Sequence, residues 1–396
     1  MVLAPVNYYS NVWKIYAFEL LKGLSFFGAV LIPFFTEWGK LNFEQIFFLQ
    51  AWFMFWIFVL EVPTGAFADR FGRKNSLILG AFINVFGALL YVYEPRFEFF
   101  LIAEFLWAMS SAFYSGADEA ILYDSLKETK TEHTSKKVFS NQESIHLVGI
   151  MVSAPIGGWA AYTFGITTPY FLAAASFALA FIVALTLKEP PIHSPKQKPD
   201  YFRTIREGIG YLRTHHVLKV LAADMVIIAT IGYFMIWLFQ PLLTLNKIPI
   251  LWFGFVQAAL VAAEIALLQL YPYIEKKLGS KKRLLFGTSL ATGIMFILAG
   301  VSTFIPLMIL AIILGGAIGL TRKPLMSSYM QKYIPSEKRA TIMSGVNMLR
   351  TLAIVIANLI VGKLAGWNVP NTFIILGIIA IVAAFISKVE ERHLVD

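Results

Sequence analysis

The chain has 396 residues, of which 58% are apolar and 14% are charged, and its formal net charge is +9. Soluble domains carry about 25% charged residues, so this composition excludes an ordinary soluble protein and indicates an integral membrane protein. The chain has no cysteine, which excludes disulfides, thiolate nucleophiles and Cys-ligated metals. It also has no H-E-x-x-H, P-loop or Rossmann glycine motif. We therefore expect neither an enzyme nor a bound cofactor or metal.

Long apolar runs predict twelve transmembrane helices, because about 20 apolar residues span a bilayer as a helix. The first run is too long for the core of a signal peptide and no small-residue cleavage site follows it, so we expect it to be retained. The predicted spans are 14–35, 44–64, 75–93, 97–123, 138–162, 168–187, 217–241, 251–272, 284–302, 305–330, 341–363 and 370–387.

Basic residues are distributed unevenly between the two sides of the spans. The loops after spans 1, 3, 7 and 11 hold only Lys40, Arg96, Lys247 and Lys363, and nearly all other basic residues lie on the opposite side. Because basic residues near span ends stay in the cytoplasm, both termini are predicted to be cytoplasmic, in a plasma (inner) membrane. Attraction to anionic lipids explains the positive charge, so no nucleic-acid partner is expected.

The longest polar segment, 188–216, separates the first six spans from the last six. We predict an N-terminal bundle over 1–187, a cytoplasmic linker over 188–216 and a C-terminal bundle over 217–396. Between Phe202 and Leu212, apolar residues recur every three or four positions, a pattern that suits an interfacial helix. A solvated tether fits this part of the linker equally well.

The two halves resemble each other in span phase and loop length. A shift of 204 residues aligns spans 4 and 5 with spans 10 and 11 without a gap, and it matches the basic loop 127–137 with 331–341. This pattern favours two bundles related by an axis along the membrane normal. The predicted fold is an all-α membrane protein with twelve transmembrane helices in two six-helix bundles.

The most specific motif lies between spans 2 and 3, where residues 65–74 read GAFADRFGRK. It resembles the G-x-x-x-D-R-x-G-R-R/K signature of the major facilitator superfamily. In such a motif the first glycine lets backbones approach, and the second permits a tight turn. The aspartate suits the positive N-terminal end of a neighbouring helix. The signature positions are Gly65, Asp69, Arg70, Gly72, Arg73 and Lys74.

The resemblance implies a secondary transporter with the fold of that superfamily, in which helices 1, 4, 7 and 10 line a central cavity. It implies that Asp69 lies at the helix beginning near Thr341. It also implies that Arg73 pairs with an acid at the cytoplasmic end of helix 4, for which Asp124 is the match. Together these residues are interpreted as a conformational switch. Helix 4 differs from that of the family's drug exporters, which carry an intramembrane arginine where this chain has Glu104.

Ionisable side chains inside spans are candidates for proton or substrate binding, because each costs about 2.5 to 3.5 kcal/mol at the centre of a span. Glu264 lies near the middle of span 8, and Glu104 and Tyr114 belong to one polar stripe of span 4. Glu19 either joins this set or pairs with Lys22 one turn later. The candidates are Glu19, Glu104, Tyr114, Asp224, Glu264 and Arg350.

Two charged pairs occupy equivalent places in the halves. Under the 204-residue shift, Asp118 and Glu119 fall on Arg322 and Lys323. We predict that these residues form a cytoplasmic gate, paired in an outward-open state and separated in an inward-open one. The alternative is that the acids pair within their own bundle, for example with Arg70.

These features favour a monomeric, proton-coupled exporter of small amphipathic organic molecules, because the signature is complete and buried acids outnumber buried bases. The coupling proton is predicted on Glu264 or Glu104, which lie deep in their spans. One alternative is an importer or uniporter of a polar metabolite or anion, with Arg350 or Arg322 as its ligand. A non-transporting membrane receptor is a further alternative, and it would show no substrate-dependent flux.

Overall fold

A computed structural model describes residues 8–191, 210–211, 214–334 and 339–394. Within these ranges every regular element is helical and no strand is present. Twelve of the described helices are long and apolar enough to cross a membrane, as predicted. In chain order, α1 to α12 are Ser10–Trp38, Phe43–Phe71, Arg73–Tyr91, Phe97–Glu128, Glu132–Phe164, Thr168–Thr186, His216–Leu245, Leu251–Leu278, Lys281–Val301, Ile305–Tyr333, Ile342–Trp367 and Val369–Ile386.

The fourth and tenth helices are interrupted at nearly equivalent places. Helix α4 consists of Phe97–Tyr114 and Ala117–Glu128, joined at Gly116, whose φ of 71° is left-handed. Helix α10 is divided into Ile305–Leu320 and Arg322–Met330 at Thr321, whose φ of −65° and ψ of −12° are right-handed, unlike the φ of Gly116. The 204-residue shift places Gly116 one position before Thr321, and each predicted gate pair begins within two residues of the division. The gate residues therefore lie in the first turn of a new helical segment.

The signature between α2 and α3 is a helical corner, which corrects the predicted loop. Gly65, Asp69 and Arg70 lie in the last two turns of α2. Gly72 alone joins the helices, with a φ of 95°, and α3 begins at Arg73. Because a side chain is strained at such a φ, the corner requires glycine at this position. The predicted role of a tight turn at Gly72 agrees with this geometry.

The chain forms two compact units. The start of α2 belongs to unit 2, although the sequence assigned it to the N-terminal bundle. The physical reason is aromatic packing, since the ring of Phe47 lies 6.1 Å from that of Phe234 and 6.4 Å from that of Trp237. The predicted interfacial helix of the linker lies mostly outside the described residues. Unit 1 comprises Met1–Lys40 and Trp52–Gln197, and unit 2 comprises Leu41–Ala51 and Lys198–Asp396.

Each unit has its own apolar core. In unit 1, Ile15 and Phe18 of α1 pack with Leu77 of α3 and Ile121 of α4. In unit 2, the core joins α7, α9, α10 and α11, and Met326 of α10 has no exposed surface. Since lipid chains are as apolar as these side chains, close packing and interhelical hydrogen bonds hold such helices together more than the hydrophobic effect does.

A carboxylate caps the N-terminus of the third helix in each half. The first two backbone N–H groups of α3 donate to Glu189, at 2.9 and 2.7 Å. The first two of α9 donate to Glu391, at 2.8 and 2.9 Å. Glu189 follows α6 and Glu391 follows α12. Each contact therefore joins the segment after the last helix of its half to the start of the third helix of that half. A negative charge is favourable at the positive end of a helix dipole.

Candidate functional site

The first site lies where α1 and α5 touch in unit 1. A Cβ added to Gly23 would lie 2.4 Å from the carbonyl oxygen of His146, and one added to Gly149 would lie 2.7 Å from that of Leu20. Both distances are too short for any side chain. The two glycines therefore allow backbone contact between the helices, and this contact brings the His146 ring to Glu19.

Four ionisable groups meet at this contact. The Nζ of Lys22 lies 2.7 Å from Oε2 of Glu19 and 3.5 Å from Oδ2 of Asp118. The Nδ1 of His146 lies 3.4 Å from Oε2 of Glu19 and 3.3 Å from its carbonyl oxygen. Glu19 is only 3% exposed. We call Glu19, Lys22, Asp118 and His146 the acid cluster.

Aromatic rings cover the cation of the acid cluster. The Nζ of Lys22 lies 5.3 Å from the ring centre of Tyr114 and 5.9 Å from that of Phe18. The two rings meet edge to face at 5.4 Å. Tyr114, predicted as a proton or substrate candidate, thus forms part of the wall around Lys22. A wall of this kind limits water around the ammonium group and strengthens its attraction to the carboxylates.

The acid cluster has more negative than positive groups. Two carboxylates surround one ammonium, so the cluster carries one net negative charge when His146 is neutral. A single added proton makes it neutral. Because uncompensated charge inside a membrane protein is costly, such a cluster is suited to bind and release one proton. Lys22 pairs with Glu19, which is the i,i+3 alternative predicted from the sequence. It also contacts Asp118.

Unit 2 contains a balanced buried ion pair. The guanidinium of Arg322, 2% exposed, pairs through Nε and Nη2 with Oδ1 of Asp224. Its Nη1 donates to the carbonyl oxygen of Leu285 at 2.9 Å and to the Thr288 hydroxyl at 3.1 Å. The Ser387 hydroxyl donates to the other oxygen of Asp224 at 2.8 Å. With its charge matched and its donors used, this pair is structural in character.

The predicted gate residues have partners within their own units. Asp118 contacts Lys22 of unit 1 rather than Arg70, and Arg322 pairs with Asp224 of unit 2. Glu119 and Lys323 are both exposed. The exchange of partners between the halves, which a gate requires, stays a prediction.

The signature residues hold the corner between α2 and α3. Arg73 forms an ion pair with Asp124 of α4, and it donates to the carbonyl oxygen of Ala120 at 2.9 Å. This is the pair that the resemblance implied. The backbone N–H of Lys74 donates to Glu189. The side chain of Thr341, near the proposed neighbour of Asp69, lies outside the described residues.

Other signature positions are on the surface of the structure. Asp69 and Arg70 are exposed at the end of α2. A Cβ added to Gly65 would meet no described atom within 4 Å, so close backbone approach does not explain this glycine here. At Gly72, an added Cβ would lie 3.1 Å from the carboxyl carbon of Glu189. The second glycine therefore serves both the turn and the approach of the capping carboxylate.

The two acids predicted to carry the coupling proton lie apart from the acid cluster in sequence and surroundings. Glu104 is 3% exposed and lies within electrostatic range of the fully buried hydroxyls of Tyr91 and Tyr170. Glu264 of α8 is half-buried and acts electrostatically on Tyr271.

Arg350 of α11 faces α7 within unit 2. Its Nε is buried and has no hydrogen-bond partner among the described residues, and Tyr233 lies close enough to act on its charge. Oδ1 of Asn347, one turn earlier on α11, and Oγ1 of Thr230 on α7 are likewise buried without a partner in the described part of the chain.

Sequence reasoning missed several of these residues. Asn347 and Thr230 are ordinary polar residues in spans, and only their unpaired atoms distinguish them. Glu189 was taken as part of the linker, although its place directly after span 6 was a signal. The contact of His146 with Glu19 was not predicted, because it depends on glycines in two different helices.

Similar proteins support a transport role. The chain is 22% identical over 387 residues to the uncharacterized MFS-type transporter YxaM of Bacillus subtilis, covering 95% of each chain. It is 22% identical over 300 residues to multidrug resistance protein 1 of Bacillus subtilis, covering 74% of this chain and 73% of that one.

Solved structures share the fold at low sequence identity. The nucleoside transporter NupG matches with a TM-score of 0.77 and 12% identity, covering 96% of this chain and 98% of that one. A POT family transporter in complex with 5-aminolevulinic acid matches with a TM-score of 0.76 and 16% identity, covering 98% and 97%. These likenesses establish the arrangement of the helices.

The family model described as Major Facilitator Superfamily matches residues 20–358 and 225–393. Together the matches span residues 20–393 and include the signature corner, the buried ion pair and every member of the acid cluster except Glu19. Twelve membrane-spanning helices among the described residues agree with this assignment. The chain belongs to the major facilitator superfamily and is a membrane transporter of that type.

Proposed function

We propose that the protein is a proton-coupled secondary transporter that exports small amphipathic organic molecules by alternating access. The acid cluster carries this proposal, because it combines two carboxylates, one ammonium and one imidazole in a membrane-spanning region. Such a site is neutral with one extra proton and negative without it.

The proton requirement follows from the cost of burying charge. When water reaches the acid cluster, its net negative charge is solvated and the proton leaves at little cost. When the surrounding helices exclude water, the same charge is unfavourable unless a proton neutralises it. Reorientation of the transporter is therefore favoured with the proton bound. For exchange, the proton moves inward in one reorientation, and the bound substrate must take its place in the outward one, which couples the two movements.

Two further observations support export. The chain is similar to proteins named multidrug resistance protein 1 and multidrug resistance protein 2, both of Bacillus subtilis. The distribution of basic residues supports a topology with both termini in the cytoplasm, in a plasma membrane. In this orientation an inward proton gradient drives the substrate outward if the two are exchanged. We propose that the protein works as a monomer, since each of its two units contains a complete apolar core.

The signature corner and the gate residues are proposed to control the change of state. The ion pair of Arg73 with Asp124 and the cap at Glu189 fix α3 against α4 and against the end of unit 1. Asp118 belongs both to the acid cluster and to the proposed gate. A proton bound in the cluster and the state of the gate are therefore expected to influence each other.

A second candidate function is import or facilitated diffusion of a polar metabolite or anion. The guanidinium of Arg350 fits this function as well as export, since its Nε is buried without a hydrogen-bond partner and no carboxylate lies within ion-pair distance among the described residues. The direction of transport distinguishes the two functions, whereas the presence of an anion site does not.

The test is a reconstituted transport assay in both gradient directions. The purified protein is placed in liposomes containing a pH-sensitive dye, and a panel of amphipathic anions, cations and neutral molecules is added. A proton-coupled exporter moves protons opposite to at least one compound and concentrates that compound against its gradient. Proton movement in the same direction as the compound indicates an importer. Flux of a compound with no proton movement would contradict proton coupling.

A further inference from the structure

Unit 2 contains a second polar region with a different character from the buried ion pair. Asn347 and Arg350 lie three residues apart on α11 and so share one face of that helix. Thr230 and Tyr233 share a face of α7 in the same way. The two helices pack against each other, and Tyr233 lies within electrostatic range of Arg350. Tyr233 and Arg350 thus join a polar face of α7 to a polar face of α11.

Three of these side chains have buried atoms that make no hydrogen bond with any described residue. They are Oγ1 of Thr230, Oδ1 of Asn347 and Nε of Arg350. Buried polar groups in proteins are almost always paired, and a buried charged group without a partner is especially unfavourable. The buried Nε of Arg350 and the buried Oγ1 of Thr230 can therefore donate hydrogen bonds to a ligand, whereas Oδ1 of Asn347 can only accept one.

The other buried arginine of unit 2 shows what a structural arginine looks like. Arg322 uses Nε, Nη1 and Nη2 on Asp224, Leu285 and Thr288. By contrast, no carboxylate lies within ion-pair distance of Arg350 in the described ranges. The sequence offered both arginines as anion ligands, and only Arg350 has a buried donor left for one.

Aromatic side chains lie beside this polar region. The ring of Tyr233 is 5.2 Å from that of Phe234 and 6.2 Å from that of Trp237. The ring of Phe47, also of unit 2, packs against the rings of Phe234 and Trp237. Tyr233 is half-buried whereas Phe234 and Trp237 are buried, so Tyr233 presents the accessible ring of the group. A flat apolar ligand could therefore stack on the Tyr233 ring, close to the guanidinium of Arg350.

We propose that Arg350, Thr230 and Tyr233 form the substrate's anion subsite, and that the substrate class is an aromatic monocarboxylate. The guanidinium binds the carboxylate through charge-assisted hydrogen bonds, and the Thr230 hydroxyl donates a further one. The aromatic body of the ligand lies on the Tyr233 ring. This assignment rests on the proposed transport function and adds the chemical class of its substrate.

Equilibrium binding to the purified full-length protein tests this subsite without any gradient. The probe is 2-naphthoate, and its uncharged counterpart is 2-naphthamide, which has the same ring system. We expect 2-naphthoate to bind the unaltered protein at least tenfold more tightly than 2-naphthamide at pH 7.5. Arg350→Gln should weaken 2-naphthoate at least tenfold and leave the amide within twofold.

Two further variants control for a general loss of positive charge and for misfolding of Arg350→Gln. Lys363→Gln removes a positive charge from an exposed position of the same helix, so it should leave both affinities unchanged. Thr230→Val removes one hydroxyl at nearly constant volume and should weaken 2-naphthoate severalfold, even if Arg350→Gln does not fold. Equal binding of acid and amide, no binding of 2-naphthoate, or 2-naphthoate binding that neither Arg350→Gln nor Thr230→Val weakens would overturn the subsite.

The outcomes separate this subsite from proton coupling. Binding of 2-naphthoate through Arg350 with no proton-linked flux would leave the subsite standing and remove proton coupling. Proton-linked flux of other compounds, with no role for Arg350, would do the reverse.

Discussion

At the scale of single residues, buried charge determines which side chains the fold depends on and which are left for function. Arg322 and Asp224 balance each other and use their hydrogen-bonding groups fully. Glu19 lies in a cluster whose charges do not balance, and Arg350 has a buried donor without a described partner. Removing one member of a balanced pair harms stability, whereas changing an unbalanced site alters binding.

The balanced pair gives a stability prediction. Asp224→Asn leaves Arg322 buried without its counter-charge, and breaking a buried pair in this way costs about 3 to 5 kcal/mol. We expect a large fall in the thermal unfolding temperature of the purified protein. The double variant Asp224→Leu with Arg322→Met replaces both charges by apolar groups and should recover much of the loss. A double variant as unstable as Asp224→Asn would show that the pair contributes more than its own balance of charges.

The carboxylate at the start of α9 gives a pH prediction outside the membrane spans. Hydrogen bonds from the Ser280 hydroxyl and from the backbone of Lys282 and Lys281 lower the pKa of Glu391 below its ordinary value of 4.5. A carboxylate with a lowered pKa in the folded state stabilises that state above its unfolded pKa. This stabilisation is lost as the pH falls from about 4.5 through the folded pKa.

Hydrogen exchange at the first turn of α9 measures this effect. In the unaltered protein, protection there should decrease as the pH falls below about 4.5, after correction for the intrinsic exchange rate. Glu391→Gln should lower the protection at neutral pH and remove most of this pH dependence. Glu143→Gln, at an exposed position of α5, serves as the control and should change neither. Full protection of α9 in Glu391→Gln would show that the cap is dispensable.

At the scale of helices, close contact between backbones determines which polar groups meet. The pairing of Arg73 with Asp124 was predictable, because the signature motif implies it. The meeting of His146 with Glu19 was not, since it needs Gly23 and Gly149 to face each other from two helices. Sequence periodicity assigns a residue to a helix face but does not give the distance between two helices.

The contact between α1 and α5 therefore makes a prediction of its own. Gly149→Val places a branched side chain where a Cβ alone would lie 2.7 Å from the carbonyl oxygen of Leu20. The helices must separate, which moves His146 away from Glu19 and reduces proton-linked transport. Gly287→Ala is the matched control, because a Cβ there meets no described atom within 4 Å. Transport by Gly149→Val at the rate of Gly287→Ala would show that this contact does not matter.

At the scale of the whole molecule, the number of helices followed from hydropathy, and the positions of the spans were correct to within several residues. The division of α4 at Gly116 was not predicted, because a hydropathy pattern does not show where a glycine takes a left-handed φ. Asp224 and Arg322, 98 residues apart, appeared in the sequence as an isolated acid and a gate residue. Long-range pairs of this kind have no local signal.

The proposed gate is testable through its exposed members. Glu119→Lys and Lys323→Glu reverse charges that lie outside the buried pairs, so folding should be retained. If these residues pair in one state, each single reversal slows transport and the double reversal restores part of the rate. Rates are measured by counterflow in liposomes for all four proteins of the cycle. Purely additive losses would exclude the pairing.

Proton coupling through the acid cluster is tested most directly by Glu19→Gln in proteoliposomes with an imposed pH gradient. The variant keeps the side-chain shape but cannot carry a proton, and Glu104→Gln and Glu264→Gln test the other acids in the same assay. Glu98→Gln, at an exposed position of α4, is the control. We predict that Glu19→Gln abolishes accumulation driven by the pH gradient and retains substrate counterflow. Gradient-driven accumulation at the unaltered rate in Glu19→Gln, with loss in Glu104→Gln or Glu264→Gln, would contradict the assignment.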